Sequence, residues 1–490
     1  MSSTFGGLNI LSRSLSAQQA SLDTVGHNIA NAGTDGYSRQ RVNLVVATPA
    51  GEVYGRTANH SGSGVTVASI TRARDTFTDR QLWKESATLG YSETSSEALS
   101  RIEGVFSEPS DTGVQTVLNQ FWTAWSTLAT NASDSGARTA VAQRGVAVVN
   151  AIQHAGQQLK DTVENINSSI ALDVKNINQI TSSIDTLNKQ IAFTEVGGKD
   201  HANDLRDSRD LLVDQLSKLV NISVQEDSDG KYTILSGEDN TLTLVDPDGY
   251  TELDVTTTGT AFGYEVTQVI VAGDSSEVNF TNGEVSALID SRDSDKSGIA
   301  AYMTNLEAIS HFLLEDFNAV HNAGYGTNDD TGVDFFVMDG GVDYSDGGWI
   351  DALVVNSDIT DSTAGLALIA AKTEAGSDNN ASGDNAILLG NCLKTDKSTI
   401  LGDISLDSFY SAMIGTLGVQ SQDAIRLNTN QQTVIDQLSN LRASVSGVSL
   451  DEEMTDMIRF QKGYNASARV LTAMDEMLDK LINSTGTVGR

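Results

Sequence analysis

A single cysteine, Cys392, in 490 residues excludes an intramolecular disulfide and cannot by itself build a thiolate zinc site. Beside "AILLG" it reads as a small apolar filler. Proline is nearly absent, with three residues, and this suits long uninterrupted helices and regular strands, because each proline removes a backbone donor. Basic residues are outnumbered, 31 against 65 acidic, for a net charge of −34. Nucleic acid and anionic membrane surfaces would be repelled and are excluded as main partners. No run of about 18 apolar residues is present to span a bilayer. The segment after Met1, "SSTFGGLNILSRSL", lacks the basic and continuous apolar regions of a signal peptide, so if the protein leaves the cell a route that does not read such a signal is expected.

What is present is a globular composition, 39% hydrophobic, long enough for two to four domains on the scale of about 250 residues per core. The charge is uneven. From Asn221 to Asp403 there are 33 acidic and 6 basic residues, so −27 of the −34 lies in that middle block, whereas residues 1 to 60 hold four arginines and three carboxylates. A solvated acidic middle and nearly neutral ends are expected to do different jobs.

Steps of three and four through the N-terminus meet Leu8, Leu11, Leu15, Gln18, Leu22, Val25 and Ile29, a heptad seam. The C-terminus repeats the pattern with Leu450, Met454, Met457, Gln461, Tyr464, Ala468, Leu471, Asp475, Leu478 and Ile482. Ser449 and the acids of "SLDEE" start that helix, where the dipole favours negative charge. A third seam, Leu159, Val163, Ile166, Ile170, Asp173, Ile177, Ile180, Ile184, Leu187 and Ile191, predicts a helix about 50 Å long at 1.5 Å per residue. "NDLRDSRDLLVDQLSKLV" follows as a shorter helix with Leu205, Leu212, Leu216 and Leu219 on one face.

From Asn221 the period changes to β-branched alternation around DSDG, GEDN and DPDG, which is hairpin patterning. Helix resumes at "NGEVSALIDSRD" and runs through "HFLLEDFNAVHNAG". A second Gly- and Asp-rich, β-leaning block spans about Tyr325 to Ser398, and the chain then returns to helix. The fold class is therefore mainly α with β inserts. An isolated one-striped helix is marginal in water, so the terminal helices are expected to pair like a coiled coil or to pack on other copies.

The stretch "SLSAQQASLDTVGHNIANAGTDGYSRQRV" resembles the axial proteins of the bacterial flagellum: rod, hook and hook-associated proteins. "GYSRQ", with the long spacing behind it, points to the hook-associated junction members. "VSGVSLDEEMTDMIRFQKGYNASARVLTAMDEMLDKLIN" is similar to the family's closing helix, and "FWTAWSTLATNASDSGAR", "NDLRDSRDLLVDQLSKLVNISV" and "FNAVHNAGYGTNDDTGVDFF" extend the likeness. The resemblance implies a structural protein of the hook–filament junction, exported by the flagellar type III pathway and found outside the cell. Its implied partners are copies of itself in a helical tube, the hook protein, a second junction protein, the filament side, and a cytoplasmic export chaperone at the C-terminal helix. It also implies a terminal helical polymerisation domain, 1–60 with 446–490, that gains its structure on assembly. A long-helix rod domain, 61–224 with 284–325 and 400–445, would follow, with β-rich acidic outer inserts at 225–283 and 326–399.

On this reading the assembly interface is carried by Leu8, Leu11, Leu15, Leu22, Val25, Ile29, Leu450, Met454, Met457, Tyr464, Leu471, Leu478 and Ile482. In "HNIANAGTDGYSRQ" the Asn and Gly residues end the helix after Ile29 and turn the chain, and Tyr37 and Arg39 are expected as exposed anchors of the kind enriched at interfaces.

Other chemistry is weaker. Ser38, His27 and Asp23 lack a G-x-S-x-G turn, and His27, four residues after Asp23, suits a local hydrogen bond. "DSDKSG", Asp293 to Gly298, copies half of a calcium loop but has Thr304 where the bidentate Glu belongs, and the family likeness runs through it as helix. The histidines show no metal spacing, and "GYGTNDDTG" lacks the Lys and Ser/Thr of a phosphate loop. No cofactor or metal is expected, and no enzyme activity. The alternative is a secreted hydrolase or adhesin whose β inserts act on a flagellar-type scaffold; it would keep its activity without the terminal seams.

Overall fold

The computed structural model describes residues 4–47, 62–106, 113–196, 201–339, 348–360, 364–376 and 380–484. Helix α1 (Thr4–Ala30) leads into strands β1 (Gln40–Val46) and β2 (Val65–Arg72), then α2 (Thr76–Phe106), α3 (Val114–Thr130), α4 (Ser135–Thr194) and α5 (Asn203–Leu219). Strands β3 (Ile222–Glu226), β4 (Tyr232–Ser236), β5 (Leu242–Val245), β6 (Leu253–Ala261) and β7 (Tyr264–Val271) follow. After α6 (Glu284–Asp293) and α7 (Ile299–Phe312), a π turn joins α8 (Asn318–Ala323). The chain continues through β8 (Phe336–Met338), α9 (Trp349–Ala352), β9 (Leu353–Val355), α10 (Ser357–Thr360) and α11 (Asp384–Lys394), and closes with α12 (Leu406–Ser446) and α13 (Leu450–Ser484).

The chain divides into two compact units. The first comprises Met1–Thr88, Asn176–Glu252 and Gln432–Arg490, and the second Leu89–Lys175 and Leu253–Gln431. The predicted seam lies inside α4, which at 60 residues is about 90 Å long and nearly twice the expected length. Leu159, Val163, Ile166, Ile170, Ile177, Ile184 and Ile191 are all buried on it.

In the first unit, antiparallel hairpin β1–β2 was not anticipated by the terminal helical assignment of residues 1–60. A three-stranded antiparallel sheet, β3-β4-β5, matches the expected hairpin patterning. Its tight turn is made as the sequence suggested: Asp227 Oδ1 accepts from the backbone N–H of Asp229 and Lys231, each at 2.9 Å.

The second unit is built on Phe121, Trp125, Phe317, Phe335 and Phe336, whose rings pack mostly edge-on or tilted. "FNAVHNAGYGTNDDTGVDFF" supplies three of these rings and the polar pins that hold them. Phe335 and Phe336 donate their N–H groups to Asn318 Oδ1. His321 Nδ1 lies 2.6 Å from Val333 O while Nε2 accepts from Ala370 N at 3.1 Å. Burial pushes the imidazole down to about 4, so it is held neutral. Arg138, from "SDSGAR", donates to the carbonyls of Ala132, Leu366 and Ile369 and is lowered by burial to about 10.

Two expectations need correction here. Among the described residues, the second β-leaning block forms only two strands, β8 and β9, of three residues each, beside the short helices α9 and α10 and helix α11, because its Gly- and Asp-rich composition favours turns. "DSDKSG" does not run through as helix either. Helix α6 ends at Asp293, Ser294 Oγ accepts from Ser297 N at 3.3 Å, and α7 starts at Ile299.

Candidate assembly interface

Helices α1 and α13 pack against each other in antiparallel fashion. A Cβ on Gly7 would overlap Met474 Cε, Ser14 Oγ and Ser467 Oγ share a 3.0 Å hydrogen bond, and Gly463 faces the Gln18 side chain. Asn28 Nδ2 donates to Glu453 Oε2 at 3.0 Å. At both glycines the space is filled by a side chain of the facing helix, Met474 and Gln18, so a larger residue there would have to displace that side chain. The two seams therefore face each other within one chain, which is the coiled-coil-like pairing of the terminal helices expected from the sequence.

Of the predicted seam, Val25 is buried, and Leu8, Leu11, Leu15, Leu22, Ile29, Met457, Tyr464, Leu471 and Leu478 are half-buried. Leu450 and Met454 are about half exposed and Ile482 is 70% exposed, so these three lie outside the pair. For Leu450 and Met454 the cause is Glu453, 1% exposed. Its carboxylate takes the inward position at the start of α13 and turns Leu450 and Met454 outward.

The loop after α1 is a polar clamp. Tyr37 Oη donates to Asn28 Oδ1 at 2.7 Å, the same oxygen accepts from Gln40 N, and Asn28 Nδ2 donates to Gln40 O. Gly36 takes φ +78° to close the turn. The expectation of exposed anchors is overturned. Tyr37 is half-buried, and Arg39 is buried with Nη1 2.6 Å from Glu452 Oε2 and Nε 2.6 Å from Glu453 Oε1. Burial alone would lower the Arg39 guanidinium, and the two glutamates raise it instead. Arg39 N also donates to Ser446 O at 2.8 Å, tying the loop to the end of α12.

The clamp extends onto α5, where Asp204, Asp207, Asp210 and Asp214 recur every three or four residues and so share one face. Ser38 N and Gln40 Nε2 donate to Asp207 and Asp204. Arg72 Nη1 lies 2.7 Å from both Asp207 and Asp210, and Arg442 pairs with Asp79 and Asp214. Burial would raise Asp210, and Arg72, Arg74 and Arg209 overcome it and hold the carboxyl below the usual range. At Asp79 burial wins over Arg74 and Arg442, and the carboxyl is raised. The buried Asp79, Asp207 and Asp210 and the arginines that pair with them were missed by reading acids as solvated surface; for the two on α5, their period on a helix with an apolar face was the available signal.

The three residues of the triad set aside in the sequence, Ser38, His27 and Asp23, are not brought together. His27 Nε2 lies 3.2 Å from Asp204 Oδ1, not paired with Asp23, and Ser38 Oγ accepts from Arg74 Nη1 at 3.3 Å. Among the described residues no group of three or more His, Cys, Asp or Glu side chains is placed to hold a metal ion, and no helix is long and apolar enough to cross a membrane.

Outside the pair, the two helices differ. The outer face of α1 is polar, with Asn9, Ser12, Arg13, Ser16, Gln19 and Asp23 exposed. Helix α13 carries exposed Leu450, Met454 and Ile458 on one flank near its start and Val470, Met477 and Leu481 on the opposite flank near its end. Between α1, β1 and α13 runs a groove of about 520 Å³ lined by Val25, Arg39, Val42, Leu44 and Phe460.

Residues 99–336 match the family described as flagellar hook-associated protein FlgK helical domain. Residues 442–484 match the flagellar basal body rod FlgEFG protein C-terminal family, and residues 8–37 the flagella basal body rod protein family. The chain is 36% identical over 516 residues to flagellar hook-associated protein 1 of Bacillus subtilis (strain 168), covering 100% of both chains. It is 25% identical to that of Escherichia coli (strain K12), over 96% of this chain and 98% of the relative. In fold it is similar to the flagellar hook junction protein FlgK of Burkholderia pseudomallei, with a TM-score of 0.62 at 16% identity over 75% of this chain and 100% of that one. The chain belongs to the family of flagellar hook-associated protein 1, structural components of the bacterial flagellum.

Proposed function

We propose that this chain joins hook to filament by polymerising through its paired terminal helices and catalyses no reaction. The observation that carries this reading is the asymmetry of the α1–α13 pair. The pair buries one stripe of each helix, yet α13 still exposes Leu450, Met454, Ile458, Val470, Met477 and Leu481. These two exposed apolar clusters, one on each flank of the helix, are costly in water and mark interaction faces. In the assembled state, other copies of the chain in a helical tube cover them.

The hook protein lies on one side of this layer, with a second junction protein and the filament on the other. The chain reaches that place through the flagellar type III pathway, and α13 is held by an export chaperone beforehand. The terminal domain, 1–60 with 446–490, lines the tube, and the rod domain, 61–224 with 284–325 and 400–445, surrounds it. The acidic blocks at 225–283 and 326–399 face outward, where their charge favours solubility. The mainly polar outer face of α1 supports α13 as the helix that makes the contacts.

The test is Leu450→Asp with Ile458→Asp in cells whose only copy of the gene carries both changes. The purified variant is expected to keep its helical circular dichroism, and the cells to grow hooks without filaments. Normal filaments on that variant would sink the reading.

A further inference from the structure

Half of the chain's eight methionines, Met454, Met457, Met474 and Met477, lie on the 35 residues of α13. They are not equivalent. Met457 and Met474 are half-buried, with Met474 over Gly7 of α1, whereas Met454 is 51% and Met477 57% exposed. Elsewhere Met303 is fully buried, Met413 is 6% exposed and Met338 is half-buried. Among the described residues, the two exposed thioethers therefore both belong to the flanks of α13 turned away from α1. The remaining sulfur among the described residues, Cys392, is buried and its thiol is pushed up by burial to about 12, so it supplies little thiolate to an oxidant.

We propose that Met454 and Met477 are oxidative modification sites through which a hydroperoxide blocks self-association of the chain. The effect on self-association rests on the reading of the α13 flanks as the assembly face. In the reaction the thioether sulfur attacks the terminal peroxide oxygen. An S–O bond forms as the O–O bond breaks; sulfur loses two electrons, and hydrogen peroxide is reduced to water. The product sulfoxide replaces a flexible apolar group with a strongly polar one. Met454 stands one turn from both Leu450 and Ile458, and Met477 stands one turn from Leu481. Each oxidation thus places a dipole inside an apolar patch that association must dehydrate. Reaction requires access, so chains already assembled are protected and free chains are the sensitive population.

The test uses the full-length purified chain, free and self-associated, exposed to hydrogen peroxide and read by peptide mass spectrometry. In the free chain Met454 and Met477 are expected to gain 16 Da at least tenfold faster than Met303 and Met413, a contrast that follows from access to sulfur. Equal rates would overturn the site assignment. Sedimentation then follows self-association of the peroxide-treated chain, which is expected to be lost and to be retained when Met454→Leu and Met477→Leu are introduced together. Loss of association in the treated leucine variant would overturn the blocking role. Met454→Gln with Met477→Gln provides a second check, since it places a polar side chain at both positions without oxidant. Normal association of that variant would also overturn the blocking role. Unchanged oxidation rates at both residues in the associated chain would instead refute the assembly face itself, leaving the modification sites standing.

Discussion

Asn28 and Glu453 are 425 positions apart in sequence and joined by a 3.0 Å hydrogen bond in a site where Glu453 is 1% exposed. Together with Arg39 they lock the end of α1 to the start of α13. The geometry ranks three substitutions. Arg39→Ala strands the buried Glu453 charge and is expected to destabilise the helix pair by about 3–5 kcal/mol. Glu452→Ala removes an acid that is 64% exposed and is expected to cost under about 1 kcal/mol. Arg39→Met with Glu453→Leu removes both charges and recovers most of the loss. Urea dependence of hydrogen exchange in α1 and α13 reads all three, and equal effects of Arg39→Ala and Glu452→Ala would show that the buried pair is not the anchor.

A pH effect is expected in the second unit. Asp173, the polar member of the α4 seam, has its carboxyl raised to about 7, first by burial and then by Glu284. Its folded value lies above the unfolded one of about 3.9, so the native state holds the proton more tightly. The stabilisation of the protonated form is present at low pH and is lost as pH rises from about 4 to 7. The unit should therefore be more stable near pH 5 than near pH 8 as far as this group is concerned. Asp173→Leu should stabilise it at pH 8 by about 1 kcal/mol, solvent screening included, and flatten the difference. Thermal melts of wild type and variant at the two pH values decide this, and an unchanged pH slope in the variant would refute it.

The long helices were legible because apolar residues at helical period need no knowledge of partners. Leu159 to Ile191 predicted α4, and its extra length was hidden in "RTAVAQRGVAVVNAIQHAG", whose small residues carry a weak stripe. The clamp was not legible. Asp207, Asp210, Arg72 and Arg442 read as surface charge until the fold brings three distant segments together, and the same holds for Glu453, which displaced Leu450 and Met454 from the expected seam. Hairpin β1–β2 did leave a signal, the alternation in "QRVNLVV" and "VTVASITR", but these strands are far apart in sequence. In the block from 326 to 399, turn-forming composition was over-read as strand.

Leu15 and Leu471 test the helix pair separately from its outer surface. Both are half-buried on facing stripes of α1 and α13, and a carboxylate there would be half-desolvated without a cation to pair it. Leu15→Asp or Leu471→Asp is expected to destabilise the pair by about 2–4 kcal/mol, raising exchange in α1 and α13 while α4 keeps its protection. Gly7→Val should act in the same direction by pushing Met474 away. In contrast, Leu450→Asp, at a position 50% exposed, should leave exchange in the free chain unchanged. Both classes are expected to stop incorporation into the flagellum, one by opening the pair and the other by spoiling its outer face. If Leu15→Asp leaves α1 and α13 as protected as in the wild type, the pair is held by the polar clamp alone and the apolar seam is not what stabilises it.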